Sequence, residues 1–109
     1  MINYDTFRSK IESELKKYNF TKEDYVFATS FMLGEFVIYT IEHRYGKREI
    51  WYRTTLLGYM NRVMFDNNLE TTQEEWNKAI GSITKVLAEY KNYRVKEKLD
   101  EIEKDFKNA

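Results

Sequence analysis

Gly34, Gly46 and Gly58 stand twelve residues apart in the middle of a chain that contains no proline. Without an obligatory helix breaker in its interior, such a chain is free to form long helices. Glycine is the residue that most readily ends one. If Gly46 closes a helix, the chain folds back there and Gly34 comes to face Gly58. The spacing therefore predicts a long antiparallel helical hairpin over residues 22–65, with arms that touch where neither has a side chain.

The flanking segments carry helical periodicity. Phe7, Ile11 and Leu15 recur every four residues with Arg8, Glu12 and Lys16 on another face, the pattern of an amphipathic helix over Tyr4–Tyr18 closed by Asn19. Thr21 reads as a helix cap with Asp24 behind it, and Phe20 and Tyr25 occupy the positions of a hydrophobic staple. Phe27, Phe31, Gly34, Ile38, Ile41 and Tyr45 then form one stripe, and Tyr25, Ala28, Met32, Phe36 and Tyr39 a second beside it. Two apolar stripes mark a helix buried over much of its circumference. Tyr52, Leu56, Tyr59 and Val63 continue the helical spacing over Arg48–Phe65, and Asp66-Asn67-Asn68 is a turn. Thr72 and Glu75 make a capping box for a helix with the stripe Trp76, Ala79, Ile80, Ile83, Leu87 and Tyr90. Val95, Leu99, Ile102 and Phe106 form a further stripe, one residue out of phase. Either the helix bends near Asn92-Tyr93, or a separate charged helix starts there. The expected fold is a single all-α domain over 1–109, a small bundle of four or five helices built around the helical hairpin. Residues 94–109 form its charged, projecting C-terminal helix.

A competing reading makes the middle an α+β arrangement with a β-hairpin over residues 36–55. Phe36–Ile41 and Ile50–Thr55 are rich in β-branched and aromatic residues, and Tyr45-Gly46 suits a hairpin turn. That hairpin sets Glu42 opposite Glu49, a like-charge repulsion. Its strands lack a clean polar–apolar alternation, and it leaves Gly58 without a role. The helical reading accounts for all three glycines and is preferred.

The totals weigh against several classes of function. Lys+Arg and Asp+Glu balance at 18 each, without the basic excess usual in a nucleic-acid binder. The absence of cysteine removes disulfides, thiolate metal sites and Cys nucleophiles, and fits a cytoplasmic protein. Met1–Lys10 has no apolar signal core, and no apolar run reaches membrane-spanning length without charge, so no membrane contact is expected. No catalytic constellation appears. The one histidine, His43, has no Glu at helical ligand spacing and reads as a cation near a helix C-terminus. Glu74 and Glu75 complement a helix dipole at its start. No metal, cofactor or glycine-rich phosphate loop is expected.

The local anomaly is the stretch 43–53. Arg44, Lys47, Arg48 and Arg53 stand against a single Glu49 and are interleaved with Tyr45, Trp51 and Tyr52. Arg, Trp and Tyr dominate protein-interface hot spots. Cations with flat rings also suit single-stranded nucleic acid. The seven residues Arg44, Tyr45, Lys47, Arg48, Trp51, Tyr52 and Arg53 are the candidate partner-binding site. Tyr45, Tyr52 and Tyr59, seven apart, read as one half-buried stripe, and the acidic segment 66–75 is their electrostatic counterpart. The expected function is non-catalytic: a protein-binding modulator, either a small inhibitor or an adaptor. Size and a Lys/Asn/Tyr-rich composition suit a phage or mobile-element accessory protein acting on a host enzyme. The alternative is a nucleic-acid-binding regulator using 43–53. A homodimer is expected from the projecting apolar seam at Val95–Phe106, and no motif carries a family resemblance.

Overall fold

A computed structural model describes residues 1–44 and 47–107 of the chain. Helix α1 spans Tyr4–Lys17. Five strands follow: β1 (Thr21–Asp24), β2 (Ala28–Leu33), β3 (Phe36–Arg44), β4 (Lys47–Arg53) and β5 (Met60–Met64). A 3-10 turn at Asp66–Asn68 leads to helix α2, Gln73–Lys107. The strands form one antiparallel sheet in the order β1-β2-β3-β4-β5, each paired with its neighbour in sequence.

The helices begin and end where local chemistry dictates. The Asn3 side chain accepts from the Thr6 amide, capping α1. Asn19, with φ of 61°, turns the chain out of it. Phe7, Ile11 and Leu15 are fully buried, so the fourfold spacing does mark the inner face of α1. At the start of α2 the Glu75 amide donates to the Thr72 hydroxyl. The reciprocal half of a capping box is missing, because the Glu75 carboxylate instead accepts from the Tyr52 hydroxyl at 2.8 Å.

Both helices lie on one face of the sheet. Phe7 packs edge-on against Trp76 of α2, with ring centroids 5.5 Å apart. The Tyr39 hydroxyl of β3 donates to the Ala79 carbonyl at 2.6 Å. Tyr39 and Ile41 pair with Tyr52 and Ile50 across the β3–β4 ladder, and all four are fully buried on the helix side. Each such side chain contributes about 1.5–3 kcal/mol by leaving water.

The all-α bundle with its helical hairpin over 22–65 is thus corrected to an α+β fold with two helices. The segment read as a helix from Lys22 is β1, β2 and β3, and the segment read as a helix from Arg48 to Phe65 is β4 and β5. Two features hid the strands. Glu42 does stand opposite Glu49, but donors offset the repulsion. Lys47 Nζ lies 3.7 Å from Glu42, Arg62 lies 3.7 Å from Glu49, and the Trp51 indole N–H donates to Glu49 at 3.2 Å. Secondly, the β2–β3 register shifts between Phe31 and Met32, which pair with Tyr39 and Val37 and leave Ile38 as a bulge residue. Ile38 and Tyr39 are both fully buried as a result, and the period-two alternation is lost at that point.

The glycines do not face one another. Gly34 sits in the β2–β3 turn with φ of 58°, and a Cβ there would come within 2.6 Å of the Tyr90 hydroxyl. Gly58 lies in the β4–β5 connection against Thr55. Gly46 lies outside the described residues.

Helix α2 neither bends into a second element nor stops near Asn92. At 1.5 Å per residue its 35 residues run to about 52 Å. They account for the extents of 61 × 29 × 24 Å and a radius of gyration of 16.6 Å, above the roughly 13 Å of a globule of this length. No helix among the described residues is long and apolar enough to cross a membrane.

Candidate functional site

The six described candidate residues separate into five environments. Tyr52 is consumed by the core. Its ring stacks on Tyr39 at 6.2 Å, its hydroxyl is held by Glu75, and burial pushes both tyrosine hydroxyls far above their ordinary pKa. Arg53 is consumed by the backbone: its guanidinium donates to the carbonyls of Val37, at 2.7 Å, and Gly58. It ties the β4–β5 loop down and has little left to offer a partner. Tyr45 lies outside the described residues. Tyr52 is buried and Tyr59 is almost fully exposed, so no single tyrosine stripe links them.

The other four remain reachable. Trp51 points to the sheet face opposite Tyr52, half-buried, with the Arg62 guanidinium 5.5 Å from its ring centroid. Beneath them Glu49 is only 2% exposed, held by Trp51 and Arg62. Arg48 is exposed on the other side, its guanidinium 5.5 Å from the Tyr4 ring. Its backbone amide donates to Asp66 at 2.7 Å, and its carbonyl accepts from Phe65. The acidic segment after β5 therefore folds against the basic start of β4 and locally offsets its charge. Arg44 and Lys47 pair with each other at the end of the β3–β4 ladder where the chain passes from one strand to the next.

Position in the sheet adds three residues to Arg44 and Lys47, of which periodicity assigns Tyr25 and Phe27 to the apolar stripes of a helix. Tyr25, Val26 and Phe27 form the β1–β2 turn and are 58%, 82% and 56% exposed. Antiparallel order brings this turn to the same end of the sheet as Arg44 and Lys47. The His43 amide donates to the Phe27 carbonyl at 3.0 Å. Phe27, Ala28, Glu42, Arg44 and Lys47 line a shallow groove of about 330 Å³ there. His43 itself lies on β3, not near a helix C-terminus, with Nε2 3.5 Å from the Thr29 hydroxyl, which donates to Asp24. The signal that could have found this turn is the charged strand Thr21–Asp24 followed by three bulky residues: an exposed edge, then a tip.

The arrangement offers two cations, one of them engaged with Glu42, beside three exposed apolar side chains. Among the described residues no group of three or more His, Asp or Glu could hold a metal ion. No family model, curated protein or solved structure matches the chain.

Proposed function

We propose that the chain is a non-catalytic modulator, an inhibitor or adaptor acting in the cytoplasm. On this reading it binds another protein through the end of the sheet made by Tyr25-Val26-Phe27, Arg44 and Lys47. The observation that carries the reading is the run of three consecutive, largely exposed apolar side chains at the β1–β2 tip. Isolated exposed apolar residues are ordinary, but a contiguous patch rimmed by charge is typical of a contact surface. Its chemistry suits a protein that presents an apolar pocket edged by carboxylates. Arg44 and Lys47 would then steer the encounter, and Phe27 would supply the buried anchor.

The test is capture of a partner from source lysate, with and without nuclease, comparing the wild-type chain with Val26→Ser/Phe27→Ser and with Arg44→Ala/Lys47→Ala. Nuclease-resistant capture that the first pair abolishes and the second weakens, with circular dichroism unchanged, supports the reading. Nuclease-sensitive capture with a steep salt dependence replaces it with nucleic-acid binding. Capture that survives both pairs removes the sheet end from the site.

A further inference from the structure

The apolar seam of α2 lies at the other end of the molecule. The β1–β2 turn, the end of β3 and the start of β4 share one end of the sheet. α2 leaves past the β2–β3 turn, where Phe36 packs on Tyr90 and Tyr93. Beyond Tyr93 every residue to Phe106 is exposed. Val95, Leu99, Ile102 and Phe106 are 58%, 58%, 51% and 79% exposed. At about 100° per residue they lie on nearly the opposite side of α2 from Ala79, Ile83 and Val86, which face the sheet. The chain's own body is therefore on the wrong side to cover them.

We infer that the seam is covered by the same segment of a second copy of this chain, the two helices running antiparallel with Leu99 against the partner's Ile102 and Val95 against the partner's Phe106. The steps of four, three and four are those of a coiled-coil seam, with Leu99 and Phe106 at a positions and Val95 and Ile102 at d. Lys96 and Glu103 then fall at e, and Lys98 and Asp105 at g. In an antiparallel pair, e residues flank e residues and g residues flank g residues. The stated register places Lys96 beside the partner's Glu103 and Lys98 beside the partner's Asp105. Two-fold symmetry repeats both contacts, so every flanking pair is attractive and none is repulsive.

Other arrangements are worse. Sliding one heptad in one direction sets Lys96 and Lys98 each against its own copy; Glu89 beside the partner's Glu103 then cancels the gain of Lys91 beside the partner's Asp105, and the balance is repulsive. Sliding in the other direction sets Glu103 and Asp105 each against its own copy. A parallel pair gains Lys98 beside the partner's Glu103 but loses as much through Lys91 beside the partner's Lys96. Charge thus selects one orientation and one register, the usual role of e and g positions. Four apolar layers make a small interface, below the roughly 1,200 Å² of stable complexes, so the dimer is weak and reversible.

Sedimentation across about three decades of concentration should show reversible monomer–dimer exchange. Leu99→Asp should weaken it at least about tenfold without changing circular dichroism, because Leu99 is exposed in the monomer. Lys96→Glu/Lys98→Glu and Glu103→Lys/Asp105→Lys should each be monomeric alone and form a one-to-one heterodimer when mixed. The chain contains no cysteine, so single introduced thiols report orientation cleanly. In an oxidised mixture Lys96→Cys should cross-link to Glu103→Cys and neither to itself. A monomer at every concentration, or a dimer indifferent to Leu99→Asp, overturns the inference. Same-site cross-links at 96 and 103 overturn the antiparallel register.

Discussion

The two halves of α2 are one continuous helix with opposite circumstances. From Gln73 to Tyr93 it is fastened to the sheet by Ala79, Ile83 and Val86. Three polar ties add to this: Tyr39 to the Ala79 carbonyl, Tyr52 to Glu75, and the Leu56 amide to Glu89 at 2.6 Å. From Arg94 onward it has the same backbone hydrogen bonding and none of that burial. The contrast separates what makes a helix from what makes it stable. Propensity and charge spacing suffice to draw the second half, but an isolated helix of that length is marginal in water. Packing holds the first.

Hydrogen exchange on dilute protein gives the largest expected difference. Amides between Val86 and Tyr90 should exchange only through global opening, and those from Leu99 onward through local fraying, a gap of about 5 kcal/mol or more in protection. Equal protection in a demonstrated monomer would break the comparison. Next in size is a matched pair of truncations. Ile83→Ala should cost about 2–5 kcal/mol in denaturant unfolding, because it opens a cavity under the sheet. Ile102→Ala should stay within about 0.5 kcal/mol under the same conditions. A smaller effect follows from the polar ties. Glu89→Ala strands the Leu56 amide and should cost about 1–3 kcal/mol, whereas Glu101→Ala, on the bare half, should cost almost nothing.

The last difference is silent at neutral pH. Tyr39 and Tyr52 have raised folded-state pKa values, chiefly through desolvation by burial. The native state therefore holds their protons more tightly than the unfolded chain, in which a tyrosine titrates near about 10. Their contribution is complete below that pH and is lost as pH rises above it. Stability should fall through the alkaline range, and tyrosinate absorbance from these two residues should appear only with unfolding. Tyr52→Phe should make the decline shallower. An unchanged alkaline profile would show that the tie between sheet and helix is not felt in the titration.

Legibility in the sequence followed the same division between periodic and irregular segments. The inner faces of α1 and α2 were readable because Phe7, Ile11, Leu15, Ala79 and Ile83 repeat at helical spacing and nothing interrupts them. The sheet was not, because its informative positions violate simple rules for local reasons. Glu42 and Glu49 face each other only because Lys47 and Trp51 of β4 and Arg62 of β5 converge on them. The bulge at Ile38 puts two consecutive residues inside. Within the candidate site, Arg44 and Lys47 could be named in advance as cations next to a chain reversal. Tyr52 and Arg53 could not be told apart from them, since their roles depend on Glu75, Val37 and Gly58, which are remote in sequence or reached through the sheet. Tyr25, Val26 and Phe27 were hidden by their own composition, since bulky apolar residues ordinarily signal a core.

The nearest-neighbour strand order also sets a timetable for synthesis. Each strand meets its partner across a short connection, so the ladder can close as soon as β5 is made, with little loop entropy to overcome. Its cover arrives later. Phe31, Tyr39, Ile41, Ile50 and Tyr52 wait for Ala79, Ile83 and Val86, and α1 waits at the other end of the chain for Trp76. At about 5–20 residues per second, the interval between β5 and Tyr93 is on the order of a few seconds. During that interval a nascent chain carries a sheet whose apolar face is covered by α1 alone, through contacts such as Phe7 on Phe65, and the strip that α2 will cover is still bare.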